Sequence, residues 1–224
     1  MDLHLDPLLR LENSGLPPRV IRKVSSKLKF GEEGVARVER ATGLKYPSYY
    51  IEPVLPLATT ELEVGSLGVM YARTIPLEVM GALEICVELS AVVVAFGLKT
   101  TIHAVVAHEF QHYVDLVRRF VKLEVLSDVS ASTLYETTYA DYERLYPPSR
   151  LFRDRELVKL VERKFSNGLD DEKLHEKMMK EWVEKKLPVS NIMPEQNMLR
   201  IPMSLILNTQ FDPLLKLKLQ KLEE

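Results

Sequence analysis

Residues 101–115 read TIHAVVAHEFQHYVD, and this stretch decides how the middle of the chain is built. On a helical wheel centred on His108, a set of apolar residues falls on the opposite side. These residues are Ile102, Val106, Phe110, Tyr113, Val114, Val117, Phe120 and Val121. The pattern predicts a helix with a thick apolar back for the core, and it places His108 and His112 on a side that faces a cleft.

The two histidines of this stretch are spaced so that they can share one metal ion. His108 and His112 are four residues apart, so on a helix their side chains lie one above the other, about 40° apart around the axis. Both imidazoles can therefore reach one zinc ion. Glu109 lies one step round the helix, where it can act on a water beside the ion. The HExxH spacing predicts a site for one Zn2+ per chain.

With this motif the chain resembles the zincin superfamily of zinc metallopeptidases, over about residues 67–146. The resemblance implies an antiparallel edge strand that lies above the HExxH helix and pairs with the substrate backbone. Residues 83–89 or residues 67–73 are the candidates for that strand. The metzincin pattern HExxHxxGxxH is excluded, because Asp115 stands at its glycine and Arg118 at its third histidine. The gluzincin branch, in which a glutamate on a later helix completes the site, is the better match.

The resemblance makes the third zinc ligand a glutamate downstream of the helix. Glu136 follows the second histidine after 23 intervening residues, enough to finish the helix, turn near residues 126–130 and return as an antiparallel helix. Glu143 shares a helical face with Glu136 and is the rival ligand. We expect Glu136 to bind the ion, with Glu143 as the alternative. Thr133 and Glu136 also fit a capping box, in which Glu136 would only stabilise the start of a helix.

Other residues near the motif have both a functional and a structural interpretation. Asp115, one turn past His112, either orients that ring or is a solvent-exposed acid. Asp141 points away from the third-ligand face and suits a supporting role. His103 falls on the apolar back, so we expect a buried core histidine, and we expect His175 to be exposed in a charged run. A group of tyrosines could supply an oxyanion donor, although aromatic packing is the simpler interpretation: Tyr135, Tyr139, Tyr142 and Tyr146.

The pattern along the chain predicts an α+β fold. A small, mainly antiparallel sheet is expected to pack on the HExxH helix, followed by a mostly helical C-terminal part. Residues 1–48 are predicted to form an N-terminal helical segment, divided in two by Gly31. Residues 49–146 form the zincin-like catalytic core, with its clearest strand at residues 83–89. Residues 147–224 form the helical part packed on that core.

Composition restricts the classes of function. The chain has 224 residues, 46% hydrophobic and 28% charged, which is typical of a globular protein with a core. The net charge of -2 lacks the basic excess of a nucleic-acid-binding protein, and we expect neither a nucleic-acid nor a membrane partner. Residues 89–107 are the most apolar, but their periodicity changes halfway, which favours a strand followed by a helix over a membrane span. Cys86, the single cysteine, excludes a disulfide framework and a Cys-based zinc ribbon and suits a cytoplasmic location.

The resemblance implies a zinc metalloendopeptidase-like hydrolase of gluzincin type. His108, His112 and Glu136 would bind zinc, and Glu109 would act as general base on the zinc-activated water to hydrolyse a peptide or protein substrate. The alternative is a zincin-fold binding or regulatory protein with little or no peptidase activity. A different zinc hydrolase, such as an amidase or a deformylase-like enzyme, ranks lowest. Residues 214–219 are amphipathic, and we expect them to pack on the domain rather than cover the cleft or mediate self-association.

Overall fold

The computed structural model describes residues 6–223 except residues 13, 60–66, 123–125, 129–132, 138–144, 167 and 193–197. In strand residues 58–59, 67, 126–128, 133–137, 192 and 198–200 it describes the main chain only. The fold is α+β, as the sequence predicts. No helix in these described ranges is long and apolar enough to cross a membrane.

The helices and strands come in separate runs along the chain. The helices of the described ranges are α1 Pro18–Thr42, α2 Ala91–Phe96, α3 Lys99–Lys122, α4 Pro148–Leu151, α5 Arg155–Lys164, α6 Glu172–Met178, α7 Met203–Asn208 and α8 Pro213–Glu223. A π-helical turn, Met179–Val183, continues α6. The strands are β1 Ser48–Glu52, β2 Leu55–Thr59, β3 Leu67–Val69, β4 Ala72–Val79, β5 Ala82–Ser90, β6 Leu126–Asp128, β7 Thr133–Thr137, β8 Val189–Ile192 and β9 Met198–Pro202.

The described strands form three three-stranded sheets instead of the single, mainly antiparallel sheet expected. In the first, β5 is central, with β1 parallel and β4 antiparallel to it. In the second, β2 pairs antiparallel with β3 and parallel with β8. The third, in the order β6-β7-β9, is antiparallel throughout. The parallel pairs join strands that are distant in sequence, so no local hairpin pattern predicts them.

The helix α3 lies at the centre of the fold. Its residues from Thr101 to Gln111 are all buried, and it packs against α1, α5, α8 and β4. A side chain at Gly34 of α1 would lie 3.3 Å from His103 Cδ2, so the glycine lets α1 and α3 approach closely. The expected break at Gly31 is wrong, since α1 runs through it. Packing of α1 on α2 and α3 outweighs the weak helix propensity of one glycine.

The predicted apolar back of α3 is buried with one clear exception. The fully buried members are Ile102, Val106, Phe110, Val114, Val117 and Phe120. Val121 is 45% exposed because it lies in the last turn of α3. The opposite side is covered at His108, which is only 4% exposed, whereas His112 one turn further on is partly exposed. Over residues 101–111 α3 is therefore buried on both sides.

The edge strand next to α3 is β4. Residues 83–89 form a strand as predicted, but β5 is the central strand of its sheet and cannot offer a free edge. The alternative candidate, residues 67–73, is not one strand, because it is divided between β3 and the first two residues of β4, which belong to different sheets. Pro76 lies within β4, and proline is tolerated there because an edge strand has main-chain groups that need no partner in the sheet.

Residues beyond α3 contain strands where mostly helices were expected. The predicted antiparallel helix around Glu136 is wrong: Glu136 lies in β7, in register with Leu199 of β9. The capping-box interpretation is wrong for the same reason, because no helix begins at Thr133. Threonine and tyrosine favour strands, and pairing with distant β9 overrides the local capping pattern.

The last helix agrees with the sequence. It begins at Pro213, a residue that suits the first turn of a helix, and its buried residues Leu215 and Leu219 face the core. Just before it, the ring of Phe211 stacks on Phe120 of α3 with centroids 6.4 Å apart. The expected packing of residues 214–219 within the chain is therefore confirmed.

Candidate metal centre

His108 and His112 direct their Nε2 atoms toward each other from α3. The two atoms lie 3.1 Å apart, and the ring planes are inclined by 86°. An ion at the usual Zn–N distance of about 2.0–2.1 Å from both atoms would make an N–Zn–N angle of roughly 95–102°. This angle is near the tetrahedral value that zinc prefers in proteins. The two imidazoles therefore fit as two of the zinc donors.

Burial keeps both imidazoles in the neutral form. Desolvation, followed by the neighbouring His112, holds the pKa of His108 well below its ordinary value. Desolvation also lowers the pKa of His112 to about 4. Neutral imidazole is the form that binds a metal ion, because the protonated ring has no lone pair to donate. At neutral pH both rings are therefore in the protonation state that metal binding requires.

The carboxylate of Glu109 is held between α3 and the edge strand β4. Its Oε2 accepts a 2.8 Å hydrogen bond from the hydroxyl of Thr74. The pKa of Glu109 is raised to about 8. Burial is the largest cause, the hydrogen bond from Thr74 opposes the rise, and the charge of Glu88 adds to it. A cation at the histidines would favour the ionised carboxylate. No local pattern of residues indicates a role for Thr74, because its contact with Glu109 depends on how β4 packs on α3.

Phe165 is a second residue that the sequence did not indicate. It directly follows α5, and its ring stacks on His108 with centroids 3.8 Å apart and planes inclined by 13°. The start of α5 is anchored by Asp154, which caps the helix and binds Arg37 of α1. Phe165 therefore covers one face of the His108 ring.

A buried ion pair lies on the sheet behind Glu109. Glu88 of β5 accepts hydrogen bonds from Arg73 Nε of β4 and from the hydroxyl of Tyr50 of β1. Because successive side chains of a strand alternate, Arg73 and Thr74 leave β4 on opposite faces. The pairing of Arg73 with Glu88 secures β4 to β5, and this in turn positions Thr74 against Glu109.

The predicted third zinc ligands lie outside the described side chains. The side chain of Glu136 lies outside them, and so do all atoms of Asp141 and Glu143. Among the side chains that the structure describes, no group of three His, Cys, Asp or Glu residues is arranged to hold a metal ion. Glu136 remains a predicted ligand, now from a strand instead of a helix.

The other predicted residues fall as follows. Asp115 is fully buried and accepts a 2.8 Å hydrogen bond from Arg118, so its interpretation as a solvent-exposed acid is wrong. Its role in orienting His112 stays a prediction. His103 is buried, as expected of a core histidine, and His175 is exposed on α6, also as expected. Cys86 is a buried residue of β5, which agrees with the sequence.

Of the four candidate tyrosines, Tyr146 is the one whose side chain is described. Its main-chain carbonyl accepts a 2.8 Å hydrogen bond from Gln111, and Arg118 lies over its ring. These contacts make Tyr146 a packing residue on α3. The side chains of Tyr135, Tyr139 and Tyr142 lie outside the described atoms.

Comparisons with protein-family models, with curated proteins and with solved structures find no match for this chain. A functional assignment therefore depends on the chemistry of the site itself.

Proposed function

We propose that this chain is a zinc-dependent metallopeptidase with a zincin-like core, of gluzincin type. The observation that carries the proposal is the 3.1 Å approach of the Nε2 atoms of His108 and His112. Between them in sequence, Glu109 supplies a buried carboxylate that is aligned by Thr74. A structural zinc site has no need of that carboxylate, whereas hydrolysis requires a base beside the ion.

Each residue of the site would have its own role in hydrolysis. His108 and His112 would hold the ion through Nε2, and Glu136 is the proposed third ligand. Zinc bound there would supply a Lewis acid for the scissile carbonyl and would activate a water. Glu109 would accept the proton of that water and pass it to the leaving amine. The hydroxyl of Thr74 would keep the Glu109 carboxylate in one orientation during both transfers.

The proposed substrate is a peptide or protein segment in an extended conformation. The strand β4 is the edge of its sheet within the described residues, and it lies against the helix that carries Glu109. An edge strand has unpaired main-chain N–H and C=O groups that can bind an extended segment by adding a strand to the sheet. This agrees with the substrate strand implied by the resemblance to zincins.

A second candidate is a binding or regulatory protein with the same core and little peptidase activity. The observation that favours it is the cover over the metal-binding pair. His108 is 4% exposed, and the ring of Phe165 stacks on it. A substrate carbonyl could approach an ion at this pair only from a direction that Phe165 and its neighbours leave open.

The proposal is tested by measuring zinc content and peptide hydrolysis together. We expect about one zinc per chain in the wild type and in Glu109→Gln, and little in His108→Ala. Hydrolysis of a peptide library should be lost in Glu109→Gln. The exposed His175→Ala serves as the matched histidine control and should behave as wild type. Hydrolysis by Glu109→Gln at the wild-type rate would refute the peptidase proposal, and zinc binding without hydrolysis in the wild type would favour the second candidate.

The third ligand is tested by the same zinc measurement. Glu136→Ala is expected to lose zinc, because two imidazoles alone leave the ion with too few protein ligands. Glu143→Ala is expected to keep it. The reverse pattern would identify Glu143 as the ligand, and retention of zinc in both variants would exclude both glutamates.

A further inference from the structure

A cleft of about 540 Å³ lies where α4 and α5 meet the last helix, α8. None of the described residues that line it is acidic. Its apolar side is formed by Leu151, Phe152 and Val158. Its remaining side chains are predominantly basic: Arg150, Arg153, Arg155, Lys159 and Lys218. This concentration of positive charge is local, because the whole chain has a net charge of -2.

Most of the positive charge in the cleft is not neutralised by neighbouring acids. Lys159 pairs with Glu156 at 3.2 Å on the exposed face of α5. The other four cations, Arg150, Arg153, Arg155 and Lys218, have no ion pair among the residues described.

The acid nearest in sequence, Asp154, lies between two of these arginines but is already engaged. It accepts hydrogen bonds of 2.6 and 3.1 Å from the guanidinium of Arg37. It also accepts main-chain hydrogen bonds from Glu156 and Leu157, and so caps α5. The hydrogen bonds of its carboxylate therefore go to Arg37 and to the first turn of α5, and none goes to Arg153 or Arg155 among the described residues.

The cations of the cleft are close enough to repel one another. Partial burial and the charges of Arg153 and Lys221 lower the pKa of Lys218. Since α8 brings Lys218 to the same cleft as Arg153, the fold holds like charges together at some cost. An anion bound between them would relieve that repulsion.

We propose that this cleft binds a multiply phosphorylated small molecule. The planar guanidinium fork of arginine matches the oxygens of a phosphate group, and several such groups can share a chain of phosphates. The volume is within the range of about 300–1,000 Å³ that small-molecule ligands occupy. Leu151 and Phe152 are almost wholly buried, so the apolar contact for an uncharged part of such a ligand, for example the base of a nucleotide, comes from the partly exposed Val158.

The cleft is separate from the metal centre but lies next to its helix. The ring of Phe152 is 6.4 Å from the ring of Phe110, which follows Glu109 in α3. None of the residues that line the cleft belongs to the proposed zinc site. Anion binding should therefore persist in His108→Ala, whatever the outcome for zinc.

The proposal is tested by titrating the full chain with inorganic triphosphate in a calorimeter, at about 0.15 M salt, where weak surface attraction is screened. The cleft variant carries Arg153→Gln, Arg155→Gln and Lys218→Gln. The matched control removes the same number of positive charges from exposed sites elsewhere, through Arg22→Gln, Lys45→Gln and Lys173→Gln. We expect saturable binding by the wild type and an affinity at least about tenfold lower in the cleft variant, because charge-assisted contacts are lost. The control should stay within about twofold of wild type.

ATP and a short polyglutamate peptide test which part of a ligand the cleft recognises. Tighter binding of ATP than of triphosphate would assign the apolar side to the base of a nucleotide. Equal binding of the two would assign the site to the phosphate chain alone, and both results support the proposal. A short polyglutamate peptide should compete poorly.

Three results would overturn the proposal. These are no saturable binding of triphosphate or ATP, an equal loss of binding in the control and cleft variants, and competition by polyglutamate as strong as that by triphosphate. If the triple cleft variant fails to fold, Arg155→Gln alone provides the same comparison, with Lys173→Gln as its control.

Discussion

Replacing Thr74 by valine removes one hydroxyl from the candidate site and leaves a side chain of nearly the same shape. That hydroxyl donates a 2.8 Å hydrogen bond to Glu109 Oε2. Thr74 is 7% exposed and Glu109 is 5% exposed, so water has little access to replace the lost donor. The substitution therefore tests whether β4 aligns the carboxylate that we propose as the general base.

The expected size of the effect follows from burial. A buried acceptor that loses its donor destabilises the fold by about 1–3 kcal/mol. The hydroxyl also lies 3.1 Å from the main-chain carbonyl of Glu109, but that oxygen is part of α3 and keeps its helical hydrogen bond. We expect Thr74→Val to lower the free energy of unfolding by about 1–3 kcal/mol. Zinc content should stay at about one per chain while kcat falls, because the ligands are untouched.

The assay is urea unfolding followed by circular dichroism, together with zinc content and peptide hydrolysis. Thr74→Ser keeps the hydroxyl and is the control. Thr74→Val is also made in a Glu109→Met background, which has no carboxylate to lose its donor. There the decrease in the free energy of unfolding caused by Thr74→Val should be smaller by at least about 0.5 kcal/mol. Equal costs in the two backgrounds would refute the argument that Thr74 acts through Glu109.

Three other perturbations have expected outcomes. Phe165→Ala uncovers one face of His108, so it should keep zinc and raise the rate of peptide hydrolysis. Phe165→Tyr retains the ring, so its rate should stay at the wild-type value. Loss of zinc in Phe165→Ala would instead show that the ring supports the ligand. Trp182 is fully buried and its Nε1 donates to the Pro188 carbonyl, so Trp182→Ala should lower the free energy of unfolding by about 3–5 kcal/mol and Trp182→Phe by less, measured by urea unfolding. Burial, then the charges of Arg37 and Lys99, lower the pKa of His103 from 6.5, opposed by Glu33 and the Phe30 carbonyl. Its contribution to stability is therefore present above pH 6.5 and is lost as pH falls toward the folded pKa. In His103→Gln the free energy of unfolding should fall less than in the wild type between about pH 7.5 and about pH 5. In the exposed His175→Gln it should fall as much as in the wild type.

Several parts of the fold could be predicted from the sequence because they depend on local periodicity. The strand at residues 83–89 alternates at period two, and α8 begins at a proline that suits the first turn of a helix. The α+β class follows from such elements. The predicted helix break at Gly31 and the predicted helix around Glu136 are wrong, because long-range packing competed with a local signal at both places. Contacts of α1 with α3 carried the helix through Gly31, and pairing of β7 with β9 turned an expected helix into a strand.

The candidate site shows the same division. The helix α3 and the pairing of His108 with His112 follow from the sequence alone, because a four-residue spacing on a helix brings two side chains together whatever surrounds them. Three other contacts depend on the tertiary structure: Thr74 with Glu109, Phe165 with His108, and Lys218 with the arginines beside α5. Each of these contacts joins segments that are far apart in the chain. Their meeting depends on how strands and helices pack, and no local pattern of residues records that packing.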